Sequence, residues 1–81
     1  MAKQKILDVI LKEVRQMVPE AENVNEFTSL EELNFSLDEL SRLAYRLRKV
    51  LKEQGIVSFT DRFKQSTLED LADYIAYVSG K

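Results

Sequence analysis

A chain of 81 residues is one domain's worth of protein, and at that size folding buries only about 60% of the surface that the unfolded chain exposes. The absence of Cys and His excludes disulfide staples, thiolate chemistry, imidazole acid–base work and His metal ligation. With 44% hydrophobic and 32% charged residues and a net charge of −2, the chain reads as a folded globular domain; it lacks the basic excess of a nucleic-acid binder, and no apolar run approaches the ~18 residues of a membrane span.

The charge is unevenly spread. No Lys or Arg lies between Arg15 and Arg42, an interval that holds Glu20, Glu22, Glu26, Glu31, Glu32, Asp38 and Glu39. Arg42, Arg46, Arg48, Lys49 and Lys52 then reverse the sign. Two solvated surfaces, or two docking patches of opposite sign, would account for this.

The N-terminus, Met1-Ala2-Lys3-Gln4-Lys5, leads into an amphipathic stretch rather than a signal segment, so a cytoplasmic location is expected. Ile6, Leu7, Ile10, Val14, Met17 and Val18 recur at helical spacing and predict a first helix over residues 3–18. Pro19 stops it, because the residue before a proline is pushed out of the helical region.

Residues 19–36 form a connection of unusual length for a compact domain. Val24, Phe27, Leu30, Leu33 and Phe35 are its expected core anchors, and Ser29-Leu30-Glu31-Glu32-Leu33 fits a helical turn within it.

The second and longest helix is predicted over residues 37–53. Ser36-Leu37-Asp38-Glu39 fits a capping box at its start. Leu40, Leu43, Ala44, Leu47, Val50 and Leu51 form its apolar stripe, with Arg42, Arg46, Lys49 and Glu53 on another face. Gly55, tolerant of a left-handed backbone, is the expected stop.

Residues 56–66 make a second connection anchored by Ile56, Val57, Phe59 and Phe63, in which Thr60-Asp61-Arg62-Phe63 opens a short third helix. A strand over Ile56-Val57-Ser58-Phe59 has no pairing partner nearby. The last helix is predicted over residues 67–78, with Ser66-Thr67-Leu68-Glu69 as its capping box and Leu68, Leu71, Ala72, Ile75 and Val78 as its stripe. Gly80 ends it. The expected class is all-α, in a single domain over 1–81.

The order of these elements resembles the acyl carrier protein family over nearly the whole chain. Three stretches carry the resemblance: Ser29-Leu30-Glu31-Glu32-Leu33-Asn34-Phe35-Ser36-Leu37, Leu51-Lys52-Glu53-Gln54-Gly55-Ile56, and Ser66-Thr67-Leu68-Glu69-Asp70-Leu71-Ala72-Asp73-Tyr74-Ile75. The last is the most specific. The resemblance implies a small four-helix bundle with a long loop between helices 1 and 2 and a short third helix. It also implies a 4'-phosphopantetheine arm on a Ser at the start of helix 2, here Ser36, carrying acyl or aminoacyl thioesters for fatty-acid, polyketide or peptide-type biosynthesis. The implied partners are a phosphopantetheinyl transferase and acyl-processing enzymes. Such a carrier is not itself an enzyme, since the chemistry belongs to the arm and to its partners, and it is expected to be a monomer.

Two departures stand out. The family's approach to its attachment site usually reads Leu-Gly-x-Asp-Ser-Leu, whereas this chain has Leu33-Asn34-Phe35-Ser36-Leu37-Asp38. If Ser36-Leu37 matches the family's Ser-Leu, Phe35 replaces the Asp and the downstream stripe is displaced by one residue. If Leu33, Leu43, Leu47 and Leu51 are matched without a gap, Ser36 takes the place of the Asp, Leu37 takes the attachment position, and Ser36 is only a helix cap. Ser41, more than a turn into the helix, is a poor substitute. The second departure is charge: the family's second helix is usually acidic, and this one carries Arg42, Arg46 and Lys49. Partners would then dock on that basic helix or on the acidic loop with Glu20, Glu22, Glu26, Glu31 and Glu32.

Other chemistry finds less support. Glu31-Glu32 and Asp38-Glu39 lack the spacing of a calcium loop. Phe27, Phe35, Phe59 and Phe63 suit core anchors, or the border of a slot that shelters an acyl chain. The connection between the first two helices is too long for a helix-turn-helix. The remaining alternative to a carrier is an unmodified carrier-like interaction module.

Overall fold

A computed structural model describes residues 2–21, 23–57, 59 and 61–80. Among the described residues three α-helices are present: α1 (Lys3–Met17), α2 (Leu37–Leu51) and α3 (Leu68–Ser79). A single 3-10 turn, Asp61–Phe63, precedes α3. The expected all-α class is seen, but among the described residues no fourth α-helix completes the expected four-helix bundle. Three residues with no extended apolar pattern do not repay the cost of nucleating a further α-helix, and the segment closes instead with a tight Ser66 N–H to Phe63 carbonyl bond of 3.0 Å. Thr60 and Ser58, which the expected short helix and the possible strand would have used, lie outside the described residues, as does Glu22.

α1 packs against both α2 and α3. Ile6, Leu7, Ile10 and Val14 of α1 meet Leu40, Leu43, Ala44, Leu47 and Leu51 of α2 and Leu68, Leu71, Ala72 and Ile75 of α3 in one core. The helical spacing of these residues puts each set on one face. Val18 falls just past the end of α1, and α2 stops two residues short of the expected end, so α1 and α2 have the same length of 15 residues.

Three apolar residues assigned to the core are exposed: Phe27, Val50 and Val57, at 67%, 52% and 58%. Val50 lies at the margin of the α2 stripe. Phe27 and Val57 sit in connections, where no helical phase dictates direction. Leu30, Phe35, Ile56 and Phe59 are buried as expected, while Phe63 is half-buried and stacks at 5.1 Å from Phe59 and 5.5 Å from Tyr74.

The long first connection is held down by α3. The first two amides of a helix have no partner within it. Here Leu68 N–H donates to the Thr28 carbonyl and Glu69 N–H to the Glu26 carbonyl, both at 2.9 Å. Leu30 N–H donates to Ser66 and Glu31 N–H to Lys64, at 3.1 and 2.7 Å. The loop thus caps α3, and its length is what lets it reach there. The side-chain cap of α3 is Thr67 with Asp70, one residue later than the expected Ser66 with Glu69. Ser66 is drawn off by the loop, since its carbonyl is the acceptor for Leu30.

The stop of α2 also differs. Lys52, not Gly55, takes the left-handed conformation, with φ 55° and ψ 40°, and no described glycine has a positive φ. The left-handed residue comes three positions earlier than expected, with the Arg48 carbonyl accepting the amides of Lys52 and Glu53.

Candidate functional site: the start of the second helix

The turn into α2 begins with Leu33 N–H bonding to the Ser29 carbonyl at 3.3 Å, the helical turn expected there. Asn34 follows with φ 59°. Such a backbone suits Gly best and Asn next, because other side chains crowd the carbonyl. Phe35, buried at 4% exposure, anchors the chain to the core immediately before the helix.

Ser36 is the N-cap, in extended conformation at φ −76° and ψ 170°. Its Oγ accepts the Glu39 amide at 3.2 Å, and Glu39 Oε1 accepts the Ser36 amide at 2.9 Å. The capping box is complete, as expected. The Ser36 backbone amide, and secondarily its side chain, hold the Glu39 carboxyl below its ordinary value of 4.5. Ser36 is exposed. Leu37, at the first helical position, is also exposed, at 52%. Ser41 is exposed further along the helix.

Chemically, the Ser36 hydroxyl is accessible but is engaged as an acceptor. The Glu39 carboxylate beside it is held chiefly by the Ser36 backbone amide and secondarily by the Ser36 side chain, so hydroxyl and carboxylate are tied to each other in the cap. Among the described residues no group of carboxylates is arranged to hold a metal, and no cavity opens that would shelter an acyl chain.

The residues expected on docking surfaces divide into two kinds. Arg46 is turned onto α1: its Nε lies 2.8 Å from Glu13 Oε1 and its Nη2 2.6 Å from Gln16 Oε1. Arg48 is also occupied, bonding the Ile56 carbonyl at 2.8 Å. Arg42 and Lys49 are exposed. Lys49 Nζ stands 5.4 Å from the centroid of the Tyr45 ring, which is 53% exposed. The charge pattern of the sequence does not single out Tyr45, although its place three residues after Arg42 and four before Lys49 puts it on their face. Of the acidic loop, Glu20, Glu31 and Glu32 are exposed and Glu26 is half-buried.

No protein-family model, no curated protein and no solved structure matches this chain.

Proposed function

We propose that this protein is an acyl-carrier-like module that works by docking to partner proteins, and that Ser36 is a helix cap rather than the bearer of an arm. The relationship between Asn34 and Ser36 carries this. The left-handed backbone falls at Asn34, and Leu-Gly-x-Asp-Ser-Leu has its glycine two residues before the Asp. Matching Asn34 to that glycine supports the ungapped register. Ser36 then stands for the Asp and caps the helix as an Asp would, and Leu37 occupies the attachment position. In the competing register the glycine would fall on Leu33, whose φ is not positive.

The function is non-catalytic, exercised as a monomer in the cytoplasm. Loss of the arm leaves the surface as the working part, and the exposed residues of α2 are its natural candidate. Intact mass after incubation with coenzyme A and a broad-specificity phosphopantetheinyl transferase tests the proposal: no mass gain is expected, and a gain abolished by Ser36→Ala would overturn it.

One observation favours a second possibility, a true carrier with 4'-phosphopantetheine on Ser36. The hydroxyl is exposed at a helix N-terminus, where free amides and the positive dipole end suit a phosphodiester. The same mass measurement separates the two.

A further inference from the structure

We propose that the solvent face of α2 docks an acidic surface on a partner protein, with Arg42, Tyr45 and Lys49 at its centre. This rests on the docking role proposed above and names the partner's chemistry.

Asp38, Arg42, Tyr45 and Lys49 follow one another at intervals of four, three and four residues, which lines them along one stripe of the helix, and Lys52 follows at its C-cap. All are exposed. The buried stripe of Leu40, Leu43, Ala44, Leu47 and Leu51 faces the other way.

The basic residues of this segment fall into two groups. Arg46 and Arg48 serve the fold, through Glu13, Gln16 and the Ile56 carbonyl. The ion pairs among the described residues join Lys3 to Glu69 and Asp73, and Arg46 to Glu13, leaving out Arg42, Lys49 and Lys52. Arg42 feels Glu39 only through space, and that carboxylate is already bonded to the Ser36 amide. Three cations against one carboxylate, Asp38, make the stripe positive. Arg with an exposed Tyr is also the composition that protein interfaces favour.

A protein partner fits better than a polyanion. The chain is acidic overall, with exposed Glu31, Glu32, Asp70 and Asp73 elsewhere on its surface, and an extended phosphate backbone or anionic membrane would meet those charges as well. A compact acidic patch, such as the carboxylate face of a helix, would meet only the stripe.

Titration of the full-length 15N-labelled chain with an amphipathic helical peptide, glutamates on one face and leucines on the other, tests this. Amide shifts are expected at Arg42, Tyr45 and Lys49. Binding should weaken by about tenfold or more in the Arg42→Glu, Lys49→Glu double variant, by reversal of the attracting charge. Lys5→Glu with Lys12→Glu, exposed on α1, should leave it unchanged. Should the double variant fail to fold, Tyr45→Ala and a salt series on the natural chain carry the test. Shifts mapping elsewhere, an affinity insensitive to charge reversal or salt, or tighter binding of a single-stranded RNA oligonucleotide or an anionic vesicle at the same residues would overturn the proposal. Because the chain titrated carries no arm, a later finding of an arm on Ser36 would remove the cap assignment without touching this surface.

Discussion

Arg46 Nε lies 2.8 Å from Glu13 Oε1, joining α2 to α1 across 33 residues of sequence. Among the described residues Glu13 is the buried charged one, at 6% exposure. A carboxylate that far from water needs its partner. Arg46→Ala should therefore destabilise the fold by about 1–3 kcal/mol, the cost of stranding a buried polar group. The joint replacement Glu13→Leu with Arg46→Met should recover most of that loss, as apolar replacement of buried pairs often does. Urea denaturation of the two variants checks both statements, and equal losses in the single and double variants would count against them.

The phase of α2 gives a paired prediction. Leu47 is fully buried whereas Val50 is 52% exposed. Leu47→Ala should cost about 2–5 kcal/mol, as large-to-small core changes do. Val50→Ala should stay within about 0.5 kcal/mol of the natural chain. Comparable losses at the two positions would show the helix rotated from the orientation described.

Lys52 ends α2 in the left-handed region, where a Cβ crowds the neighbouring carbonyl. Lys52→Gly should raise stability by about 0.5–1 kcal/mol, the steric relief exceeding the entropy that glycine adds to the unfolded chain. A lower midpoint in thermal or urea unfolding would contradict the assigned cap.

Much of this fold was legible before any coordinates. The three long helices follow from apolar spacing, and Ser36 was identifiable as a cap because Ser and Glu stand at the right separation before an apolar stripe. The rest depends on contacts that no local pattern encodes. Nothing in the sequence near Glu26 and Thr28 announces that their carbonyls will receive the first amides of α3, those of Glu69 and Leu68, 43 and 40 residues onward. The neighbouring bond from the Leu30 amide to the Ser66 carbonyl goes with the move of the α3 cap from Ser66 to Thr67. Phe27 was assigned to the core on hydrophobicity alone, yet its amide is fixed by Asn25 Oδ1 at 2.8 Å in a local turn that leaves the ring outside. Arg46 looked like a surface charge because its partner Glu13 sits on another helix. At the candidate site, Ser36 was legible as a cap, whereas the left-handed backbone at Asn34, on which the proposed register rests, was not.

The capping box has a pH signature. Glu39 is held below its ordinary value of 4.5, chiefly by the Ser36 backbone amide and then by the Ser36 side chain. A carboxyl depressed in the folded state adds stability above its unfolded value, and that contribution is lost as the pH falls through the folded value. The Ser36–Glu39 contribution should accordingly be intact at neutral pH and fade below about pH 4. In a carboxyl-carbon NMR titration Glu39 should be among the more acidic glutamates, and Ser36→Ala should bring it closer to 4.5 while costing about 1 kcal/mol of stability. A Glu39 that titrates as an ordinary glutamate would argue that the reciprocal cap does not form in solution.

The central claim is that the carrier register runs without a gap through Asn34 and Ser36. Intact mass spectrometry of the natural chain and of a variant with Ser36→Asp, Leu37→Ser and Asp38→Leu, each incubated with coenzyme A and a broad-specificity phosphopantetheinyl transferase, tests it most directly. The account predicts that only the variant gains one phosphopantetheine; a gain on the natural chain that disappears with Ser36→Ala would contradict it.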